Sequence, residues 1–215
     1  VEAYDLWLKG SYHLKRKDFD DIKKAIRFFK DAIKVDPDYA EAFSWLGEAY
    51  IHAAGFGIMA TKEAHELARA SVKKAIDLNT KNAQAHKVLA YIKLFYDWDW
   101  EAALAAYNQA IAYGLPEQNE FISYYAIFIE EDFDKAIQVA RQVIETDPLH
   151  VITHWQLGLT YYFSRRFEES IAAFNQALAI DPNIGEALRY RGLTRKHWSI
   201  LIKHSGFPMV RDSPI

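Results

Sequence analysis

Residues 151–184, VITHWQLGLTYYFSRRFEESIAAFNQALAIDPNI, decide the fold of this chain. The stretch holds two apolar runs of helical period, with Gly158 and Ala177 small where two helices of a hairpin would approach closely. Tyr161 and Phe174 are large and would fill the space beside them. Pro182 lacks an N–H and forces a break before whatever follows. A single hairpin of this kind cannot bury its own apolar face, so neighbours must cover it. The same punctuation returns along the chain. Pro37, Thr80, Pro148 and Pro182 each close an apolar-patterned run, and the last two stand 34 residues apart.

A 34-residue period with paired helical runs resembles the tetratricopeptide repeat, or TPR. Leu157-Gly158, Tyr161, Phe167, Ser170, Phe174, Ala177 and Pro182 follow that family's pattern with almost no departure. The resemblance implies an all-α, right-handed TPR superhelix of about five helical hairpins plus a C-terminal capping helix. The domain is expected over residues 1–200, with repeats at about 3–37, 40–81, 83–116, 117–150 and 151–184, a capping helix at 185–200 and a tail at 201–215. In such a stack each hairpin holds another molecule more often than it transforms one.

Outward from the fifth repeat the match loosens. The first has Gly10, then Ala25, Phe29 and Ala32, with a long turn at Lys17-Asp18-Phe19-Asp20. The second has Phe43, Leu46, Gly47 and Tyr50, then Ala68, Val72 and Ala75, with Ala53 to Met59 read as an insertion between its helices. In the third, Leu89 and Ala90 precede Ala103, Tyr107 and Ala110, and Asp99 is expected to cap the second helix with Trp100 packed just inside. The fourth departs most, with Glu120 and Ser123 at packing positions. A half-repeat with Leu188 and Gly192 follows the fifth, as a cap for the last apolar face.

At 215 residues and 51% hydrophobic the chain can fill an ample core, and 6 Pro with 9 Gly argue against disorder. A formal net charge of -3 provides no basic field, so nucleic acid is not the expected partner. Zero Cys removes disulfides, thiol catalysis and thiolate metal sites. No apolar run approaches the roughly 20 residues a membrane span needs, and no signal peptide is visible. The chain opens at Val1 inside a helical pattern and reads as a piece of something longer, with a cytoplasmic location expected, or a periplasmic one if the parent carries an upstream span.

Motifs of catalysis are missing: no G-x-S-x-G, no Gly-rich phosphate loop, no H-E-x-x-H, hence no expected catalytic residue or cofactor. His150 and His154 share a helix face beside Asp147 and could bind a metal, but a turn histidine plus a partly buried one is the better reading, so no metal site is expected. Asp97 and Asp99 alternate with Trp98 and Trp100, which fits helix capping with aromatic packing. Lys15-Arg16-Lys17 reads as a solvated corner.

The resemblance also implies a groove. In a TPR stack, positions 2, 5, 9 and 12 of each first helix line the concave face. Here they would be Tyr4, Trp7, Ser11 and Leu14; Glu41, Ser44, Glu48 and Ile51; Gln84, Lys87, Tyr91 and Leu94. The later repeats add Gln118, Phe121, Tyr125 and Phe128, then Ile152, Trp155, Leu159 and Tyr162. The Lys and Asn clamp of chaperone-binding TPRs has no counterpart at these positions. The candidate binding residues are therefore Trp7, Tyr91, Phe121, Tyr125, Phe128, Trp155, Leu159 and Tyr162. They would take a protein or peptide, as an apolar or amphipathic helix or the chain's own tail around Ile200 to Val210, in a monomer or homodimer. Self-burial of the same rings and a small-molecule pocket are the other readings, because 121–129, FISYYAIFI, is apolar nearly all round.

Residues 4–14, YDLWLKGSYHL, and 92–100, IKLFYDWDW, narrow the resemblance. They look like the C-terminal TPR region of bacterial multidomain regulators: class III adenylate cyclases, winged-helix transcriptional activators and serine/threonine kinases. The implication is a regulatory module apart from its effector.

Overall fold

A computed structural model describes residues 1–16, 18–115, 119–182 and 184–205. Among these the secondary structure is helical throughout, without a strand. The helices are α1 (Glu2–Lys15), α2 (Phe19–Val35), α3 (Ala40–Gly55), α4 (Thr61–Leu78), α5 (Ala83–Ile92), α6 (Trp100–Ala112), α7 (Asn119–Tyr125), α8 (Phe133–Thr146), α9 (Val151–Phe163), α10 (Phe167–Ile180) and α11 (Gly185–Ser205). Consecutive pairs form the expected hairpins. Short side chains start them: the carboxylates of Asp18, Asp99 and Asp132 accept from backbone amides of the first turn, as does the Asn82 side chain. The chain divides into two compact units, Val1–Glu117 and Gln118–Ile215.

The first unit holds α1 to α6, and one core drawn from α1 to α5 includes Leu14, Ile22, Phe29, Leu46, Tyr50, Val72, Val88 and Ile92. The second holds α7 to α11, with Phe174, Ala177 and Ala187 joined by the partly buried Trp155 and Tyr190. In three of the hairpins a glycine at the small position does what its size predicts. A Cβ built on Gly10 would stand 2.6 Å from the Phe29 ring, one on Gly158 2.7 Å from Phe174, and one on Gly47 2.9 Å from Val72. Only a missing side chain lets the two helices approach so closely.

Two stretches differ from expectation. Ala53 to Gly55 continue α3 and Ala53 is fully buried, so the insertion is in part a longer helix. The chain then reverses through Gly57 at φ 66°, and Ile58 and Met59 pack back on the core. The first helices of hairpins three and four each end in a π-helical turn, Lys93–Asp97 and Ala126–Glu130. Such a turn absorbs an extra residue.

Each of the last three hairpin turns carries a non-glycine residue in the left-handed region: Trp98 at φ 55°, Glu131 at 52° and Arg165 at 61°. The following residue is the N-cap of the second helix every time. A residue with a Cβ is strained there, so Arg165→Gly should raise stability by about 1 kcal/mol. Thermal unfolding that leaves the midpoint unchanged or lowers it would show that Arg165 carries no such strain.

Candidate partner-binding surface

In the first unit Trp7 is half-buried among Tyr4, Tyr39 and Trp45, with ring centroids 5.6, 6.5 and 5.9 Å away. Its indole N–H is enclosed without a hydrogen-bond partner. Tyr91 stacks on Phe95 at 6.1 Å. The first unit also holds a polar cluster, whose Glu48, Gln84 and Lys87 were expected on the concave face. Lys87 Nζ donates to Glu48 Oε1 at 2.8 Å, Gln84 donates to the other carboxylate oxygen, and His52 Nε2 lies 3.9 Å from Oε1. Burial pushes the Glu48 carboxyl up, but Lys87 and His52 outweigh it and hold the group well below the usual carboxylate range.

Asp97 is a second linking carboxylate. Arg69 of α4 meets it with both guanidinium nitrogens, at 3.1 and 2.5 Å, and Lys93 approaches to 3.2 Å. The Arg69 bonds, opposed by partial burial, hold Asp97 down to about 2. Asp99 caps α6 as expected, accepting from the Ala102 amide. The aromatic packing expected beside it is absent: Trp98 is 70% exposed and Trp100 is exposed as well.

In the second unit the predicted residues separate into two sets. Phe121 at 0% exposure and Leu159 at 3% lie in the core, where self-burial of the rings was the other reading. Tyr125 is half-buried against Phe121 at 6.1 Å. Tyr162 is covered by α11: its ring stacks on His197 at 5.6 Å, meets Tyr190 at 5.7 Å, and its hydroxyl pairs with His197 Nδ1 at 3.0 Å. Trp155 packs with its face on the α9–α11 core and its N–H enclosed without a partner.

The rings that do line up form a continuous row. Trp155 meets Tyr124 at 6.2 Å, Tyr124 stacks on Phe128 at 6.1 Å, Phe128 meets Phe163 at 5.3 Å, and Phe163 meets Tyr162 at 5.3 Å. Phe128 is 42% exposed and Phe163 39%. Tyr124 and Phe163 were not among the predicted residues. The π-turn explains the first. Its extra residue shifts α7 by one position against a frame counted back from Pro148, so Ser123 takes the small position and Tyr124 the surface one. Ser123 is buried accordingly, its hydroxyl without a partner.

His150 and His154, the pair that shares a helix face, are engaged within the protein. His150 Nδ1 pairs with Thr153 Oγ1 at 2.6 Å and His154 Nε2 donates to the Pro148 carbonyl at 2.8 Å. Among the described residues no group of three or more His, Asp or Glu could hold a metal ion. No described helix is long and apolar enough to cross a membrane. Of the tail segment expected around Ile200 to Val210, residues 206–210 lie outside the described residues, and 200–205 end α11.

The fold has counterparts among known proteins. The pattern of the tetratricopeptide repeat family matches residues 151–184. Residues 151–184 are a tetratricopeptide repeat. Repeats of this kind build binding scaffolds and are generally non-catalytic. Superkiller protein 3 of Schizosaccharomyces pombe is 25% identical over 85% of this chain, which spans 13% of that protein. Antiviral innate immune response effector IFIT1 of Homo sapiens is 27% identical over 65% of this chain and 29% of its own length. Transcriptional regulator HilA of Salmonella typhimurium is 21% identical over 75% of this chain and 30% of its own. The chain thus spans under a third of each of these relatives. Among solved structures, a human IFIT1 dimer with m7Gppp-AAAA superposes with a TM-score of 0.72 at 20% identity, covering 92% of this chain and 47% of that one. PilW, a widely conserved type IV pilus biogenesis factor, gives 0.59 at 14% identity, covering 96% and 94%. At these identities the likeness is one of fold.

Proposed function

We propose that this chain is a non-catalytic interaction module, working in the cytoplasm as the regulatory part of a larger signalling protein, and that it holds a protein or peptide partner on the aromatic row of its second unit. The observation that carries this is the line from Trp155 through Tyr124, Phe128 and Phe163 to Tyr162, with two rings exposed in its middle. Rings in such a row offer large apolar area at low entropy cost, and interface energy concentrates in residues of this kind. The relation to HilA, whose name marks it as a transcriptional regulator, supports the regulatory setting.

An RNA partner is the second reading, since IFIT1 has been solved with m7Gppp-AAAA. The net charge of -3 disfavours it, as does the engagement of Lys87 with Glu48. Selection of displayed helical peptides on the chain tests the first reading. Recovered peptides should carry apolar residues at i, i+3 and i+4, and Phe128→Ala and Phe163→Ala should each weaken them about tenfold, or about 1.4 kcal/mol. Peptides insensitive to both changes, or tighter binding of a labelled Gppp-AAAA oligonucleotide than of any peptide, would overturn it.

A further inference from the structure

One repeat position behaves differently at the end of the second unit. Gly10, Gly47 and Gly158 occupy the same place in their first helices, and each is closed by a large side chain of the second helix: Phe29, Val72 and Phe174. Gly192 holds that place in α11. No described residue stands within 4 Å of the Cβ it would bear, and Gly192 is exposed. On its other side α11 is engaged. Tyr190 stacks on Phe174 at 6.3 Å, Arg191 donates to Asn175 Oδ1 at 3.1 Å, and Thr194 and Ser170 hydroxyls pair at 3.3 Å. The face that carries Gly192 also carries Leu188, 45% exposed, and is flanked by the exposed Arg195 and Lys196. No Asp or Glu lies anywhere between Leu188 and Ile200.

We infer that the Leu188–Gly192–Arg195 face of α11 is a docking site for an acidic amphipathic helix from a partner protein, whose large apolar residue seats over Gly192. Two features define the occupant. The first is the hairpin interface itself, which three times in this chain closes a glycine with a Phe or Val lying between small residues. The flanking pairs are Ala25 and Ala32 around Phe29, Ala68 and Ala75 around Val72, and Ser170 and Ala177 around Phe174. The same helix face, repeated at Gly192, accepts the same kind of knob. The second is charge: Arg195 and Lys196, on a helix segment that holds no carboxylate from Leu188 to Ile200, favour Asp and Glu on the helix that lies against them. The site is separate from the aromatic row and stands whether or not that row binds a partner.

The probe is a fluorescein-labelled peptide of residues 167–180, FEESIAAFNQALAI, acetylated and amidated. It carries Glu168, Glu169 and the Ser170, Phe174, Ala177 pattern, and so presents the described chemistry in trans. Titrated with the full 215-residue chain, it should give a saturable rise in anisotropy. Binding should fall about tenfold or more when the peptide carries Phe174→Ala, as expected for a central apolar anchor. It should fall as far when the chain carries Gly192→Leu, which fills the seat at an exposed position, and it should weaken with added salt. Circular dichroism of Gly192→Leu should match the parent, so loss of binding is not loss of fold. Absence of binding, or binding that Gly192→Leu leaves intact, would overturn the proposal. So would a homodimer in sedimentation that Gly192→Leu abolishes, since the face would then belong to a second copy.

Discussion

Gly158→Leu should destabilise the protein by about 3 kcal/mol or more, the upper end of overpacking penalties. A Cβ alone would stand 2.7 Å from two atoms of the Phe174 ring, before any of the larger side chain is placed. The ring has nowhere to go, because Phe174 is wholly buried and stacked on Tyr190. The backbone is pinned at the same spot by Ser170 Oγ, which donates to the Gly158 carbonyl at 2.8 Å. At this chain length the melting midpoint should fall by about 6–12 °C. Phe174→Ala, which should itself cost about 3–5 kcal/mol, opens the space the leucine needs. The double variant should therefore lose well under the sum of the two single losses. Strict additivity, or an unchanged midpoint for Gly158→Leu, would mean that the helices do not meet there. The contrast lies in Gly192→Leu. There the same substitution at the same repeat position meets nothing, and replacing a helical glycine should raise stability by about 0.5–1 kcal/mol.

That contrast shows where the sequence is informative. The hairpins were legible because their signals are local: a glycine or alanine opposite an aromatic, a proline at the break, an aspartate before a helix. Gly158 with Phe174 and Gly10 with Phe29 meet as the period demands. The surface was less legible, because a single inserted residue rotates a helix by about 100° relative to its partner. The π-turn at Ala126–Glu130 does this to α7, turning Phe121 into core and Tyr124 toward the aromatic row. The misfit was visible as Ser123 at a leucine position. Sliding the frame by one residue places Ile122 and Ser123 where Leu157 and Gly158 stand. Leu159 is buried for another reason, since in α9 every residue from Gln156 to Tyr161 is buried and helical period alone does not tell which sides are covered. Nor could sequence join Glu48 to Lys87, or Asp97 to Arg69. Such pairs depend on how far apart the helices of successive hairpins lie, which no motif encodes.

The Glu48–Lys87 pair supplies the second large effect, with a sign that pH can reverse. Lys87 is buried, and Glu48 keeps only 20% of its side chain exposed. Removing the ammonium in Lys87→Ala leaves a mostly buried carboxylate facing only Gln84 and the more distant His52. Breaking such a pair from one side costs about 3 kcal/mol at neutral pH, the low end of the usual range because Glu48 retains some contact with water. In the parent the Glu48 carboxyl is held below its ordinary value. Its contribution is therefore fully present above the unfolded value, about 4.3, and is lost as pH falls through the folded one. In Lys87→Ala only burial acts strongly, which pushes the carboxyl up instead. The variant is then penalised while Glu48 is ionised, and the penalty is relieved as the group protonates. Denaturant unfolding should accordingly show a deficit against the parent that is largest at neutral pH and shrinks steadily below about pH 4.5. The double change Glu48→Gln with Lys87→Met, which leaves no charge to desolvate, should recover most of the loss at neutral pH. A deficit that is the same at both ends of the pH range would mean that Lys87 acts by packing its aliphatic stem, and that the charge pair contributes nothing.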